Sequence, residues 1–319
     1  MGNMKSALVL GTGGFIGSHI TRHLAEQGFS VWGVYRTANF RTKMVSRFLR
    51  KSLLIDFADL PFSTNEKWFQ GRSFDLVVNA IGNIYQPNLD EMYAFSQDFV
   101  ATTCNILSFL DGIEFDRLVH LGSSDEYGDS PSPQAETVRG TVKSSYGLTR
   151  RLSMDLVEAW AAKSQKLVVG LRLYLVYGSN QLEPRLVPYL INQCFTRTAI
   201  RLKNPEVQRD LMHVSDLCRV IETLTKNDLP KGFHLFNVGT GKPHSVRDVA
   251  QHVSDAVAEV TQFHNEILFG DRLPNRHSPK LTYPDVSKIT SLGWSPSTCL
   301  EEGLEKTVLE RFANEKKNS

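Results

Sequence analysis

Through the first half of the chain, short apolar runs alternate with longer stretches whose apolar residues recur every three or four positions. The runs at 6–10, 30–35, 52–55, 74–80, 117–121 and 166–173 have strand length and few polar residues. Between them, 15–27 puts Ile16, Ile20 and Leu24 on one helical face, and further helices are predicted over about 92–110 and 146–162. Strands buried on both faces are apolar throughout, and parallel neighbours need crossover helices. The pattern therefore predicts an α/β fold with a doubly wound parallel sheet.

After Tyr177-Gly178 the rhythm changes. A polar loop at 180–184 leads into a helix over 185–195, an extended piece at 208–211 and a helix over 217–225 that ends near the Lys231-Gly232 turn. A strand follows at 233–238, then an amphipathic helix over 246–260 opened by Ser245, a long loop at 270–284 and a charged, frayed tail at 314–319. The boundary is placed near Gly178. Residues 1–178 form a first domain to which segments near 209–240 return, and 179–319 form mainly a smaller lobe.

Composition narrows the class. At 319 residues, 41% hydrophobic and 22% charged, the chain can bury a sizeable core and is not a disordered one. Its 36 Lys and Arg against 34 Asp and Glu leave +2, with no long basic block, so no nucleic-acid partner is expected. No apolar run reaches the roughly 18 residues of a membrane span, and no signal-peptide pattern opens the chain. Cys104, Cys194, Cys218 and Cys299 are scattered, which suits reduced thiols in the cytoplasm. The nine histidines show no metal-ligand spacing, and no metal is expected.

The sharpest motif lies between the first strand and the first helix. Gly11 permits a tight turn, Gly14 lets backbone approach a pyrophosphate, and Gly17 lets the helix pack closely. Helix-start N–H groups, with Phe15 and Ile16 in the first turn, then favour phosphate charge. This predicts a Rossmann-type nicotinamide-dinucleotide site and makes 1–178 the dinucleotide-binding domain, which leaves 179–319 as mainly the substrate-binding lobe. Where an acid would hold the NAD ribose, the second strand ends Val34-Tyr35-Arg36 with Arg41 close behind, which favours NADP(H) and leaves NAD(H) open.

Gly11-x-x-Gly14-x-x-Gly17 resembles the turn of the extended short-chain dehydrogenase/reductase family, within it the nucleotide-sugar epimerases, dehydratases and ketoreductases. The likeness continues through Asp56-Phe57, the turn Val77–Gly82, Gly122–Gly128, Ser145–Arg150, Leu171–Gly178, Gln208–Asp216, Phe236–Gly239, Asp285–Lys288 and Leu292-Gly293-Trp294. The resemblance implies that Asp56 and Phe57 meet the adenine and that Ala80 and Gly82 lie along the cofactor. It makes Tyr146 the acid/base, Ser123 a hydrogen-bond partner of the same substrate oxygen, and Arg150 the catalytic counterpart of the family's lysine, with Tyr146 and Arg150 also against the cofactor. An unperturbed tyrosine, with a pKa of about 10, needs such a cation to work near neutrality. Leu175 stands where the family usually has asparagine.

The expected reaction is hydride transfer at carbon 4 of a nucleotide-linked hexose, as a 4-epimerase or 4-ketoreductase. Ser124 and Asp125 occupy the places of the family's 4,6-dehydratase acids, so elimination through Asp125 is an alternative; so is a loop in which Asp125 and Glu126 only cap or flank the turn. A rival of another class is a redox-inactive dinucleotide-binding regulator or scaffold. Arg209 is the leading diphosphate ligand, Arg276 a second, and Arg185 a nucleotide-pocket residue, with Ser124 also facing substrate. A homodimer through the helices at 92–110 and 146–162 is expected from the resemblance.

Overall fold

The apolar runs become the middle of a seven-stranded sheet in the computed structural model, which describes residues 4–58, 69, 71–82, 97–270 and 279–318. Edge to edge the order is Gly232–Val238, Leu167–Leu173, Arg117–Ser123, Leu76–Asn79, Ser6–Leu10, Ser30–Tyr35 and Leu49–Leu54. From Leu167–Leu173 across to Leu49–Leu54, every neighbouring pair is parallel. Ala7, Leu8, Val9, Leu10, Val77, Val78, Val119 and Val168 are wholly buried, as two-sided cover demands. The edge strand Leu49–Leu54 instead alternates, with Arg50, Ser52 and Leu54 exposed. That alternation hid its first half from a search for apolar runs, which places it at 52–55.

The chain forms two compact units. The first holds 1–130, 136–173 and 218–237, and the second holds 131–135, 174–217 and 238–319. The chain thus changes unit after Leu173 rather than at Gly178, and the returning piece is 218–237 because strand Gly232–Val238 adds to the sheet edge beside Leu167–Leu173. In the first unit an aromatic cluster of Trp32, Phe57, Phe69, Phe74 and Phe109 fills the space under the helices.

In the second unit, strand Gln208–His213 pairs antiparallel with Pro243–Ser245 and parallel with Leu175–Tyr177 and Leu281–Thr282. Part of the expected 270–284 loop is therefore strand; 271–278 lie outside the described residues. Helices Leu186–Phe195, Val246–Thr261 and Leu300–Asn318 bury Leu190, Val253, Val257, Leu304 and Val308 against one another. Ser245 does open its helix, accepting the Asp248 N–H at 3.0 Å.

Three expectations change. The tail at 314–319 is not frayed as far as Asn318, because the last helix runs that far. Gly303 and the charged flanks masked this helix; a Cβ at Gly303 would lie 2.1 Å from the Tyr177 hydroxyl, so only glycine fits there. The helix at 217–225 is longer, Val214–Lys226. The helix expected over 92–110 is Thr102–Asp111, preceded by a wide turn at Gln97–Ala101, and its start lies outside the described residues.

Candidate functional site

The strand order reverses about Ser6–Leu10, which opens a crevice at the carboxyl ends of the strands. Gly11 enters it with φ +94°, and a Cβ there would lie 2.9 Å from the Ala80 carbonyl oxygen. Its N–H donates to Val34 O at 2.8 Å, and Gly14 N–H closes the turn on Gly11 O at 2.9 Å. Helix Phe15–Glu26 then starts on Gly14 with no side-chain cap and no acid in its first turn. An uncapped, acid-free helix start leaves N–H donors and the positive dipole end to an anion.

A cavity of about 240 Å³ lies over this turn. Of the expected cofactor residues, Gly11, Gly14, Arg36, Asp56, Phe57, Ala80, Gly82 and Arg150 line it. Phe15, Ile16, Gly17 and Tyr146 do not. Gly17 serves packing instead, since its Cβ would fall 2.1 Å from Gly11 O. Arg36 lines the cavity with Tyr35 and Thr37, whereas Arg41 is packed over the Phe40 ring at 4.6 Å.

Asn39 also lines the cavity and was missed. Its Nδ2 donates to Gly13 O at 3.1 Å, and its Oδ1 accepts from Arg41 N and Thr42 N to cap the short helix Phe40–Val45. One residue thus ties the end of the second strand to the glycine turn. The Asn39-x-x-Thr42 spacing was the available signal, a capping box with threonine in the place of the usual Glu or Gln.

Arg150 lines the cavity as a buried cation. It is 6% exposed, its Nη2 donates to Leu121 O, and its Nε is buried with no hydrogen-bond partner among the described residues. Tyr146, one helical turn earlier on Ser145–Ser164, is half-buried. The ring of Phe99 meets both residues, with the Tyr146 ring edge-on at 6.0 Å and the Arg150 guanidinium 5.5 Å away. Phe99 was not foreseen, because no motif contains it. Ser123 ends strand Arg117–Ser123 and is buried; Ser124 and Asp125 follow in a tight 3₁₀ turn, with Asp125 exposed.

Behind Arg150, His120 is buried against Asn79, whose Nδ2 lies 3.0 Å from His120 Nδ1. Asn79 Oδ1 accepts the Ile81 N–H at 3.1 Å, so Nδ2 donates and His120 is the Nε2–H tautomer. Burial, and then the charge of Arg150, push the histidine down from 6.5 to about 3. Between those values the unfolded chain binds more protons than the folded one. Stability contributed by His120 is therefore complete above about pH 6.5 and lost as pH falls toward 3. From pH 7 to pH 5 the expected loss is about 2 kcal/mol, to be read by urea unfolding, and His120→Gln should remove that part of the slope. An unchanged slope in the variant would contradict the assignment.

In the second unit, Arg185 precedes helix Leu186–Phe195, and Arg209 is the second residue of strand Gln208–His213 with Nη1 donating to Gln208 O at 2.8 Å. Beside it Asp210 is buried and accepts the Thr240 and Gly241 N–H groups; burial still pushes it up to about 6. Leu175, at the family's asparagine position, is 38% exposed. Arg276 lies outside the described residues. Among the described residues no group of three or more His, Cys, Asp or Glu could hold a metal ion, and no helix is long and apolar enough to cross a membrane.

Comparison with known proteins agrees with this architecture. The UDP-glucuronate 4-epimerase of Thermodesulfobacterium geofontis is 23% identical over 94% of this chain and 94% of its own. The UDP-glucuronic acid decarboxylase 1 of Danio rerio is 24% identical over 95% of this chain and 72% of its own. The crystal structure of UDP-glucuronic acid 4-epimerase from Bacillus cereus, in complex with UDP-glucuronic acid and NAD, superposes with a TM-score of 0.82 at 21% identity, covering 96% of this chain and 99% of that one. The profile of the NAD dependent epimerase/dehydratase family matches residues 7–239. With the glycine turn, the strand order and most of the chain in agreement, the protein belongs to the NAD dependent epimerase/dehydratase family.

Proposed function

We propose that the protein is a nucleotide-sugar oxidoreductase that moves hydride at carbon 4 of an NDP-hexose, as a 4-epimerase or a 4-ketoreductase. The observation that carries this reading is the cavity over the uncapped helix start, with the buried cation Arg150 in its lining. The buried Nε of Arg150, with no partner among the described residues, fits a ligand that brings hydroxyl acceptors. Gly11, Gly14, Asp56, Phe57, Ala80, Gly82 and Arg150 would hold a nicotinamide dinucleotide. When bound, its ring supplies a reversible acceptor for hydride.

Tyr146, as phenolate, would take the proton of the carbon-4 hydroxyl while hydride leaves the same carbon, and would return it in the reverse direction. Ser123 would donate a hydrogen bond to the carbon-4 oxygen. Arg209 is proposed as the diphosphate ligand, because a guanidinium binds phosphate oxygens in pairs, with Arg185 and Ser124 as further substrate contacts. We also propose a cytoplasmic homodimer, which sedimentation at graded concentration tests.

Arg36, with no acid beside it on the strand end, supports NADP(H) over NAD(H) within this reading. Titration with both cofactors tests it. Arg36→Ala should weaken NADP binding about tenfold or more and leave NAD nearly unchanged, since a lost charged contact to phosphate costs about 1.5–3 kcal/mol. Equal losses for both cofactors would remove the preference.

The deciding experiment identifies by mass the nucleotide retained on purification, then offers UDP-, GDP- and dTDP-hexoses with either cofactor. A product altered at carbon 4 supports the reading. Loss of water across carbons 5 and 6 would move it to the dehydratase with Asp125 as base. No turnover on any sugar, with Tyr146→Phe indistinguishable from the parent, would leave the dinucleotide-binding regulator. Arg150→Lys should lower kcat about tenfold, because an ammonium has no planar fork to reach the Leu121 carbonyl and the cavity together. A faster Lys variant would mean that arginine impairs this site.

A further inference from the structure

Ser123 closes its strand and opens the turn Ser124–Tyr127. Its Oγ accepts the Asp125 N–H at 3.2 Å, while its own N–H donates to Glu126 Oε1 at 2.8 Å. A hydroxyl that already accepts an N–H keeps its own proton to donate. The cap therefore leaves the Ser123 proton available to donate, the polarity that an alkoxide or ketone oxygen needs.

Glu126 is costly where it stands. It is 1% exposed, and burial alone drives a carboxylate toward its neutral form. Arg172 offsets part of this, its Nε donating to Glu126 Oε2 at 2.8 Å while its guanidinium lies 4.4 Å from the Tyr127 ring centroid. Tyr127 in turn donates to Asn237 Oδ1 at 2.6 Å, and Arg151 Nε holds the Glu126 carbonyl at 2.7 Å. The residue before Ser123 makes the room: a Cβ on Gly122 would lie 2.4 Å from Glu126 Oε1. Nothing in a plain turn cap requires burying an ion pair, since serine and threonine caps work with exposed partners.

We infer that Glu126 is a positioning residue for Ser123, fixing its backbone at the strand end, with Arg172 holding the carboxylate in place. The inference rests on the reading of Ser123 as the donor to the substrate oxygen. The rival is an ion pair that serves stability alone, which replacement by apolar residues of similar volume often leaves intact.

The test uses the full chain with Ser123→Ala, Glu126→Gln and the double variant Glu126→Met with Arg172→Met. The double variant should melt near the parent yet lose about 100-fold in kcat with KM nearly unchanged, the cost of a misplaced contact at the reacting atom. Glu126→Gln keeps an oxygen for the Ser123 N–H, so its kcat should stay within about tenfold of the parent. A folded double variant with the parent's kcat overturns the inference, and so does a Gln variant impaired as severely as Ser123→Ala. If Ser123→Ala itself turns over normally, the reading of Ser123 fails first. If it is slow while the double variant is fast, only the role of Glu126 falls.

Discussion

Tyr146→Phe should lower kcat by about a thousandfold and leave dinucleotide affinity and melting temperature close to those of the parent, if Tyr146 is the proposed acid/base. The substitution removes one hydroxyl and nothing else. The ring keeps its edge-on contact with Phe99, and the side chain is only half-buried, so packing changes little. Tyr146 does not line the cavity over the glycine turn, so binding there has no reason to weaken. Steady-state rates with the best sugar of the panel, together with a cofactor titration, separate the two effects. A variant that loses cofactor and rate in parallel would make Tyr146 a binding residue instead of the acid/base.

Gly17→Ala should cost about 3 kcal/mol of stability and weaken dinucleotide binding by about 100-fold or more. The added methyl would fall 2.1 Å from Gly11 O and 2.8 Å from Gly11 C. Both are backbone atoms, so no side chain can swing away to make room. Either the helix lifts from the sheet or the turn opens, and each moves the N–H groups at the helix start. Gly11 cannot yield easily, since its N–H bond to Val34 O and its close approach to Ala80 hold it from two sides. Chemical denaturation and titration with NAD and NADP measure the two losses. Gly28→Ala is the control: Gly28 has φ +84° but nothing within 4 Å, so it should cost backbone strain without loss of binding. Normal binding in a folded Gly17→Ala protein would separate this glycine from the site.

The central strands and the glycine turn were legible because their signals are local. A buried parallel strand is apolar at every position, and a tight turn followed by a packed helix demands glycine where backbone meets backbone. Where burial is one-sided the reading slipped, as at Leu49–Leu54, whose exposed Arg50 and Ser52 break the run. Where a distant residue dictates the local choice it failed, as at Gly303, which is explained only by the hydroxyl of Tyr177.

The same division runs through the candidate site. By itself the sequence determined the fold class, the cofactor turn, and the presence of Ser123, Tyr146 and Arg150 in segments with the right surroundings. Those are properties of neighbours along the chain. The tertiary structure alone decided that Phe99 touches both Tyr146 and Arg150, that Asn39 binds the second strand end to the glycine turn, and that His120 is buried against the cavity-lining Asn79. It also decided that Glu126 is no solvent-facing acid but a buried partner of Arg172 and Ser123. These pairings join positions up to 51 residues apart, as between Phe99 and Arg150, and their energetics depend on burial. Periodicity reports which face of an element is apolar, but not which polar group waits on the other side.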